Sequence, residues 1–126
     1  MNHLTIKDNI HCLCALDPDM RVFDIIFKAD HGTTYNSYLI KDEKTVLIDT
    51  VKEPFRDDFI SKLKTLTDLK DIDYIIISHT EPDHSGSLSQ LLQYTNNPTI
   101  IASKAACYFL KNIISEPFDF MTIEEH

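Results

Sequence analysis

The chain has 126 residues, a length that suits one domain, and its 43% hydrophobic and 25% charged content supports a packed core and excludes a disordered tail. A formal net charge of -8 offers no basic face to nucleic acid. The longest apolar runs, about six residues, fall far short of the roughly 20 that a membrane helix needs.

In chain order, the first third reads as strand. HCLC at 11–14 sits on an alternating apolar segment, and RVFDIIFK (21–28) and YNSYLI (35–40) are rich in β-branched and aromatic residues, with the turn-like DHGTT between them. TVLIDT (45–50) follows the charged turn KDEK. Short connections favour sequential pairing, so 21–28, 35–40 and 45–50 predict an antiparallel meander.

The period then changes. In EPFRDDFISKLKTL (53–66), Phe55, Phe59, Ile60, Leu63 and Leu66 recur at helical spacing, with Pro54 in the first turn and Asp57 and Asp58 near the positive end of the dipole. DYIIIS (73–78) is a continuous apolar strand, which predicts burial on both faces. Leu88, Leu91 and Leu92 mark a short helix from about Ser85, and TIIA (99–102) is a further buried strand. Ser103 is placed to cap a helix through about Ile114, with Ala106, Cys107, Leu110 and Ile113 on its inner face. SEPFDFMTIEEH at the end starts another strand. Strand alternating with helix predicts an α/β layering, and the absence of repeats or linkers predicts one unit over 1–126.

Chemistry concentrates in SHTEPDHSG (78–86), immediately after a buried strand, where α/β folds place functional groups. His79, Glu81, Asp83 and His84 put two imidazoles and two carboxylates in six positions, with residues 79, 81 and 83 alternating to one side of an extended loop. These donors suit iron, manganese or zinc, and four of them exceed what one cation takes from so short a loop, which favours two adjacent cations. Pro82 stiffens the loop, holding Glu81 extended, and Gly86 removes bulk where the backbone enters the next helix.

Elsewhere the residues read as structural. Cys12 and Cys14 lack a second pair to complete four metal ligands and read as buried thiols, and Cys107 reads as core. His31, beside Gly32, reads as an exposed turn residue. Tyr35 and Asn36 read as a strand entry with a side-chain hydrogen bond to the turn. Three cysteines and no basic-then-apolar leader pattern predict reduced thiols in the cytoplasm.

HTEPDHSG resembles the metal-binding motif of the flavodiiron proteins, or A-type flavoproteins. The general superfamily motif is His-x-His-x-Asp-His, and the flavodiiron branch is marked by Glu at the second His, here Glu81. GTTYNSYL (32–39), KTVLIDT (44–50) and IDYIIISHTEPDHSGSL (72–88) are similar to the family's N-terminal region in the same order. The resemblance implies the N-terminal half of a metallo-β-lactamase-like αββα sandwich. It implies His79 and Glu81 on one iron, Asp83 and His84 on the second, and Asp49 as a neighbour orienting ligands by hydrogen bonds.

The implied parent activity is reduction of dioxygen to water, or of nitric oxide to nitrous oxide, at a non-haem di-iron centre. FMN in a flavodoxin-like domain, rubredoxin or a similar electron donor, and a homodimer belong to that expectation. The second half of the domain, its remaining ligands and the flavodoxin-like domain are expected to be absent from 1–126, since His126 matches no family pattern and the two glycines, Gly32 and Gly86, form no FMN phosphate loop. The alternatives are a zinc-dependent hydrolase of the same fold, which Glu81 disfavours, and a non-catalytic truncated paralogue.

Overall fold

A computed structural model describes residues 1–18, 22–23, 27–28 and 33–124, with 22–23 and 27–28 given by their backbone alone. His31, Gly32 and His126 lie outside the described residues. The chain runs β1 (Asn2–Lys7), β2 (Ile10–Asp17), β3 (Val22–Phe23), β4 (Phe27–Lys28), β5 (Thr33–Lys41), β6 (Thr45–Ile48), α1 (Arg56–Leu66), β7 (Ile72–Ile76), α2 (Pro82–Ser85), α3 (Leu88–Leu92), β8 (Thr99–Ser103), α4 (Lys104–Ile113) and β9 (Phe120–Ile123).

One seven-stranded sheet has the order β1-β2-β5-β6-β7-β8-β9. Pairing is antiparallel from β1 to β6 and parallel from β6 to β9. The meander is therefore real for β5 and β6, but its third member is β2, which pairs along its length with β5. The described residues of segment 21–28 do not join: β3 and β4 pair with each other in a separate two-stranded sheet. Aromatic and β-branched content signals extended backbone, not the partner it chooses.

Register sorts the sheet into two faces. Leu39, Leu47, Ile75 and Ile100 lie side by side on four strands, and all are fully buried. With Leu13 they form one cluster with Phe59 and Leu63 of α1, Leu88 and Leu91 of α3, and Cys107 and Leu110 of α4. The opposite row runs Leu4, Cys12, Tyr38, Ile48, Ile76, Ile101 and Met121 across all seven strands. There Tyr38, Ile48, Ile76 and Ile101 are half-buried, and Leu4 and Met121 are exposed. Successive right-handed crossovers advancing in one direction put all their helices on one side of a sheet. That is why β7, expected to be buried on both faces, hides Ile75, as the next residue Ile77 is hidden, but leaves Tyr74 and Ile76 half-buried.

Local chemistry fixes the helix ends. Pro54 sits in a 3-10 turn, Glu53–Phe55, that leads into α1, and Ser103 caps α4 by accepting a hydrogen bond from the Ala106 N–H at 3.1 Å. Ile113 at the end of α4 is exposed, and the buried isoleucine there is Ile114, just past the helix. Among the described residues no helix is long and apolar enough to cross a membrane.

Candidate metal centre

The centre is built on Asp49, the residue after β6. Its φ of 59° lies in the left-handed region, which a short polar side chain tolerates better than most. The peptide is held from both sides: the Asp49 N–H donates to the Ile76 carbonyl at 2.8 Å, and the buried Ser37 hydroxyl donates to the Asp49 carbonyl at 2.7 Å. This turn carries the Asp49 side chain, only 9% exposed, under the end of β7. There it accepts the Ser78 N–H at 2.8 Å, the Ser78 hydroxyl, and a contact from His84 Nδ1 at 3.0 Å.

The loop after β7 is short because Pro82 begins a helical turn at once. Glu81 keeps extended backbone (φ -62°, ψ 155°), and Pro82–Ser85 forms α2. The helix thus starts three residues before the expected Ser85, and a second one, α3, follows it. Proline's fixed φ and missing N–H suit a first helical position, so Pro82 both straightens Glu81 and starts the turn. Residues 79, 81 and 83 consequently do not alternate along one extended side; 79 and 81 precede the turn, while 83 and 84 lie within it.

Four hydrogen bonds anchor that turn. The Thr50 N–H and hydroxyl both donate to the His84 carbonyl at 2.8 Å, and the Ser85 hydroxyl donates to the Thr80 carbonyl at 2.7 Å. The Ser87 hydroxyl reaches the Val51 carbonyl at 2.7 Å. Gly86 is required by close approach: a Cβ there would lie 2.5 Å from the Pro82 carbonyl oxygen and 2.8 Å from the Glu53 nitrogen. Thr50, Ser78, Ser85 and Ser87 were missed as site residues by sequence reasoning. Their signal was their flanking position around a dense ligand loop.

The four loop donors fall into two pairs. His84 Nε2 stands 3.4 Å from an Asp83 carboxylate oxygen, and His79 Nε2 stands 3.8 Å from a Glu81 carboxylate oxygen, with the two rings 5.6 Å apart. The pairs are not equally prepared. An ionised carboxylate only accepts, so Asp49 fixes the proton of His84 on Nδ1 and leaves Nε2, in the neutral ring, with a lone pair beside the Asp83 oxygen. Two acceptors side by side invite a cation. His79 is set the other way: its Nδ1 accepts the Glu81 N–H at 3.1 Å, so in the neutral ring the hydrogen sits on Nε2. A cation at that nitrogen requires the other tautomer and the loss of this bond. Among the described residues no three His, Cys, Asp or Glu side chains converge on one point, so each pair offers two donors and no more.

Tyr35 backs the site from β5. It is buried, its ring lies 5.6 Å from that of Phe55, and its hydroxyl donates to Asp17 on β2 at 2.8 Å, a neighbouring strand rather than the expected turn. Burial, the bond to Asp17 and the negative charges of Asp17 and Asp83 raise its hydroxyl well above the usual phenol range. Asn36 is exposed on the other face. Cys12 and Cys107 are buried as expected, while Cys14 is half-buried, its sulfur 3.1 Å from that of Cys12.

Residues 32–120 match the metallo-beta-lactamase superfamily. The flavo-diiron protein FprA2 of Clostridium acetobutylicum is 47% identical over 116 residues, 92% of this chain and 29% of that protein. The anaerobic nitric oxide reductase flavorubredoxin of Vibrio vulnificus is 46% identical over 102 residues, 80% of this chain and 21% of the relative. Among solved structures, the rubredoxin oxygen:oxidoreductase of Desulfovibrio gigas superposes with a TM-score of 0.88 at 31% identity, covering 97% of this chain and 31% of its own. The chain therefore spans a third or less of the length of these relatives.

Proposed function

The chain belongs to the metallo-beta-lactamase superfamily and corresponds to the N-terminal part of that domain in flavodiiron proteins, and from that premise we propose that it supplies the first half of a non-haem di-iron centre. His79 and Glu81 would hold one iron, and Asp83 and His84 the other. The observation that supports this reading most directly is the Asp49–His84–Asp83 arrangement, in which a buried carboxylate accepts the Nδ1 hydrogen of the imidazole and leaves Nε2 with its lone pair beside Asp83. The donor set fits: two imidazoles and two hard carboxylates suit iron, and Glu81 in place of a histidine adds an anionic oxygen.

Iron held by these residues would supply the redox chemistry needed to reduce dioxygen or nitric oxide, the substrates of the Desulfovibrio gigas and Vibrio vulnificus relatives. The chain's own residues orient and hold protons. Asp49 keeps the proton on His84 Nδ1, and the Ser78 N–H and hydroxyl donate to that carboxylate from the strand side. The Thr50 bonds fix the backbone carbonyl of His84 and so the point from which the ring projects, while Asp49 sets the ring itself. Two donors per cation are too few for tight binding, so the remaining ligands, the FMN and an electron donor such as rubredoxin are assigned to other parts of a longer, homodimeric, cytoplasmic protein.

Anaerobic titration with Fe(II), followed by metal analysis after gel filtration, tests the assignment. Weak binding is expected that falls at least tenfold in Asp83→Ala or His84→Ala and less in His79→Ala, because the first pair is pre-set. Equal losses at all three would remove the argument from tautomers. Residues 1–126 given reduced rubredoxin are expected to consume no dioxygen above background, and rapid consumption would overturn the half-site reading. Zinc in place of iron in anaerobically isolated longer protein would overturn the choice of metal.

A further inference from the structure

A second cluster of donors lies away from the loop, at the sheet edge. In the β1–β2 ladder Thr5 faces His11 and His3 faces Leu13, so Thr5, His3 and His11 share one face. His3 Nε2 is 3.0 Å from His11 Nδ1, and the Thr5 hydroxyl is 3.4 Å from each of these nitrogens. Three contacts need three protons, and this group has two. The hydroxyl brings one, and a nitrogen–nitrogen hydrogen bond requires that only one ring nitrogen carry a hydrogen. No pair of tautomers serves all three contacts with separate two-centre hydrogen bonds; one hydrogen must be shared between two acceptors.

A cation serves all three atoms at once. From the three separations, the point equidistant from the three atoms lies about 1.9 Å from each. A metal–nitrogen bond of roughly 2.0–2.1 Å therefore seats a cation under about 1 Å above that plane. The nitrogen–metal–nitrogen angle is then roughly 95°, closer to octahedral than to tetrahedral. The three atoms cap one face of such an ion, and the exposed side of Thr5 leaves the opposite face to solvent.

We propose that His3, His11 and Thr5 form a facial two-nitrogen, one-oxygen site for a six-coordinate first-row divalent cation, which pins edge strand β1 to β2. Imidazole nitrogen with a neutral oxygen suits this class of ion. Partial burial, the Lys62 ammonium and the neighbouring His11 all depress protonation of His3, so its ring is available as a ligand near neutral pH. The same ammonium repels a bound cation, which makes the site one of modest affinity, exchangeable rather than permanent. The site uses none of the loop residues and stands whether or not the loop holds iron.

The test uses the chain with its amino terminus acetylated, which stops the terminal amine and His3 from chelating a metal by themselves, and with His79→Ala and His84→Ala to silence the loop. Calorimetric titration with Co(II), together with its visible absorption, is expected to show one six-coordinate site. Adding His11→Gln or His3→Ala is expected to weaken binding at least tenfold, and Thr5→Val less, with folding of each variant checked by circular dichroism. His11→Gln decides the matter if His3→Ala fails to fold. Binding unchanged in His11→Gln, or no binding in the parent background, would overturn the site.

Discussion

The two faces of the central sheet are made of the same kinds of residue and live in different surroundings. Leu39, Leu47, Ile75 and Ile100 lie fully buried under α1, α3 and α4, whereas Tyr38, Ile48, Ile76 and Ile101, their immediate neighbours in the same strands, are half-buried. A sheet meant to face water on one side alternates apolar with polar residues, while one covered on both sides reads as continuous apolar runs. Strands β6, β7 and β8 follow the second pattern. Their composition is that of a middle layer, and crossovers on one side supply only one of its two covers.

The sharpest way to break this comparison is to cut equal volumes from the two faces. Leu47→Ala should cost about 3–4 kcal/mol, as for a buried leucine whose surroundings cannot collapse, and Ile76→Ala about half as much. Urea unfolding of both variants measures the ratio, and equal costs would mean that the second face is packed as tightly as the first. Gly86→Ala probes the seam between α2 and the segment after Val51. Its new methyl meets backbone atoms 2.5 and 2.8 Å away, which cannot rotate aside, so a loss of about 2–3 kcal/mol is expected in the same assay.

Asp49→Ala strips acceptors from the Ser78 N–H and hydroxyl and from His84 Nδ1, which should lower stability by about 1–3 kcal/mol. Unlike Gly86→Ala, it should also release His84, visible as exchange broadening of its imidazole resonances in NMR spectra. A sharp, unshifted His84 ring would show that the Thr50 anchors alone set it. Ser103→Ala is the smallest change, about 1 kcal/mol from loss of the α4 cap on the covered side. Its effect should add to that of Ile76→Ala, because the two positions share no partner.

Where the sequence carried a local signal, the structure followed it. Ser103 announced α4 because a capping hydroxyl three residues before an N–H is a local device, and Pro54 announced α1 in the same way. The turn in the loop at 78–86 was legible in part because Pro82 fixes the backbone locally, holding Glu81 extended and starting α2. What failed was non-local. Nothing in the sequence of 21–28 says that β3 and β4 will pair with each other and not with the larger sheet, and no apolar count in YIII says that helices will lie on one side only. The pairing of Asp49 with His84, 35 positions on, was anticipated only as a general orienting role. The His3–His11–Thr5 triangle was invisible, because it depends on the β1–β2 register, which shifts between Thr5 and Lys7.

The strand order has a consequence for synthesis. Apart from the small β3–β4 ribbon, the strands stand in the sheet in the order in which the ribosome makes them. Each new strand finds its partner already formed, and no position must be held open for a later one. At roughly 5–20 residues per second, the layer can grow strand by strand as it emerges, one edge always fresh and waiting. The ligand loop is then assembled in two instalments. Asp49 arrives with β6, and His84 reaches it only after β7 has been laid alongside.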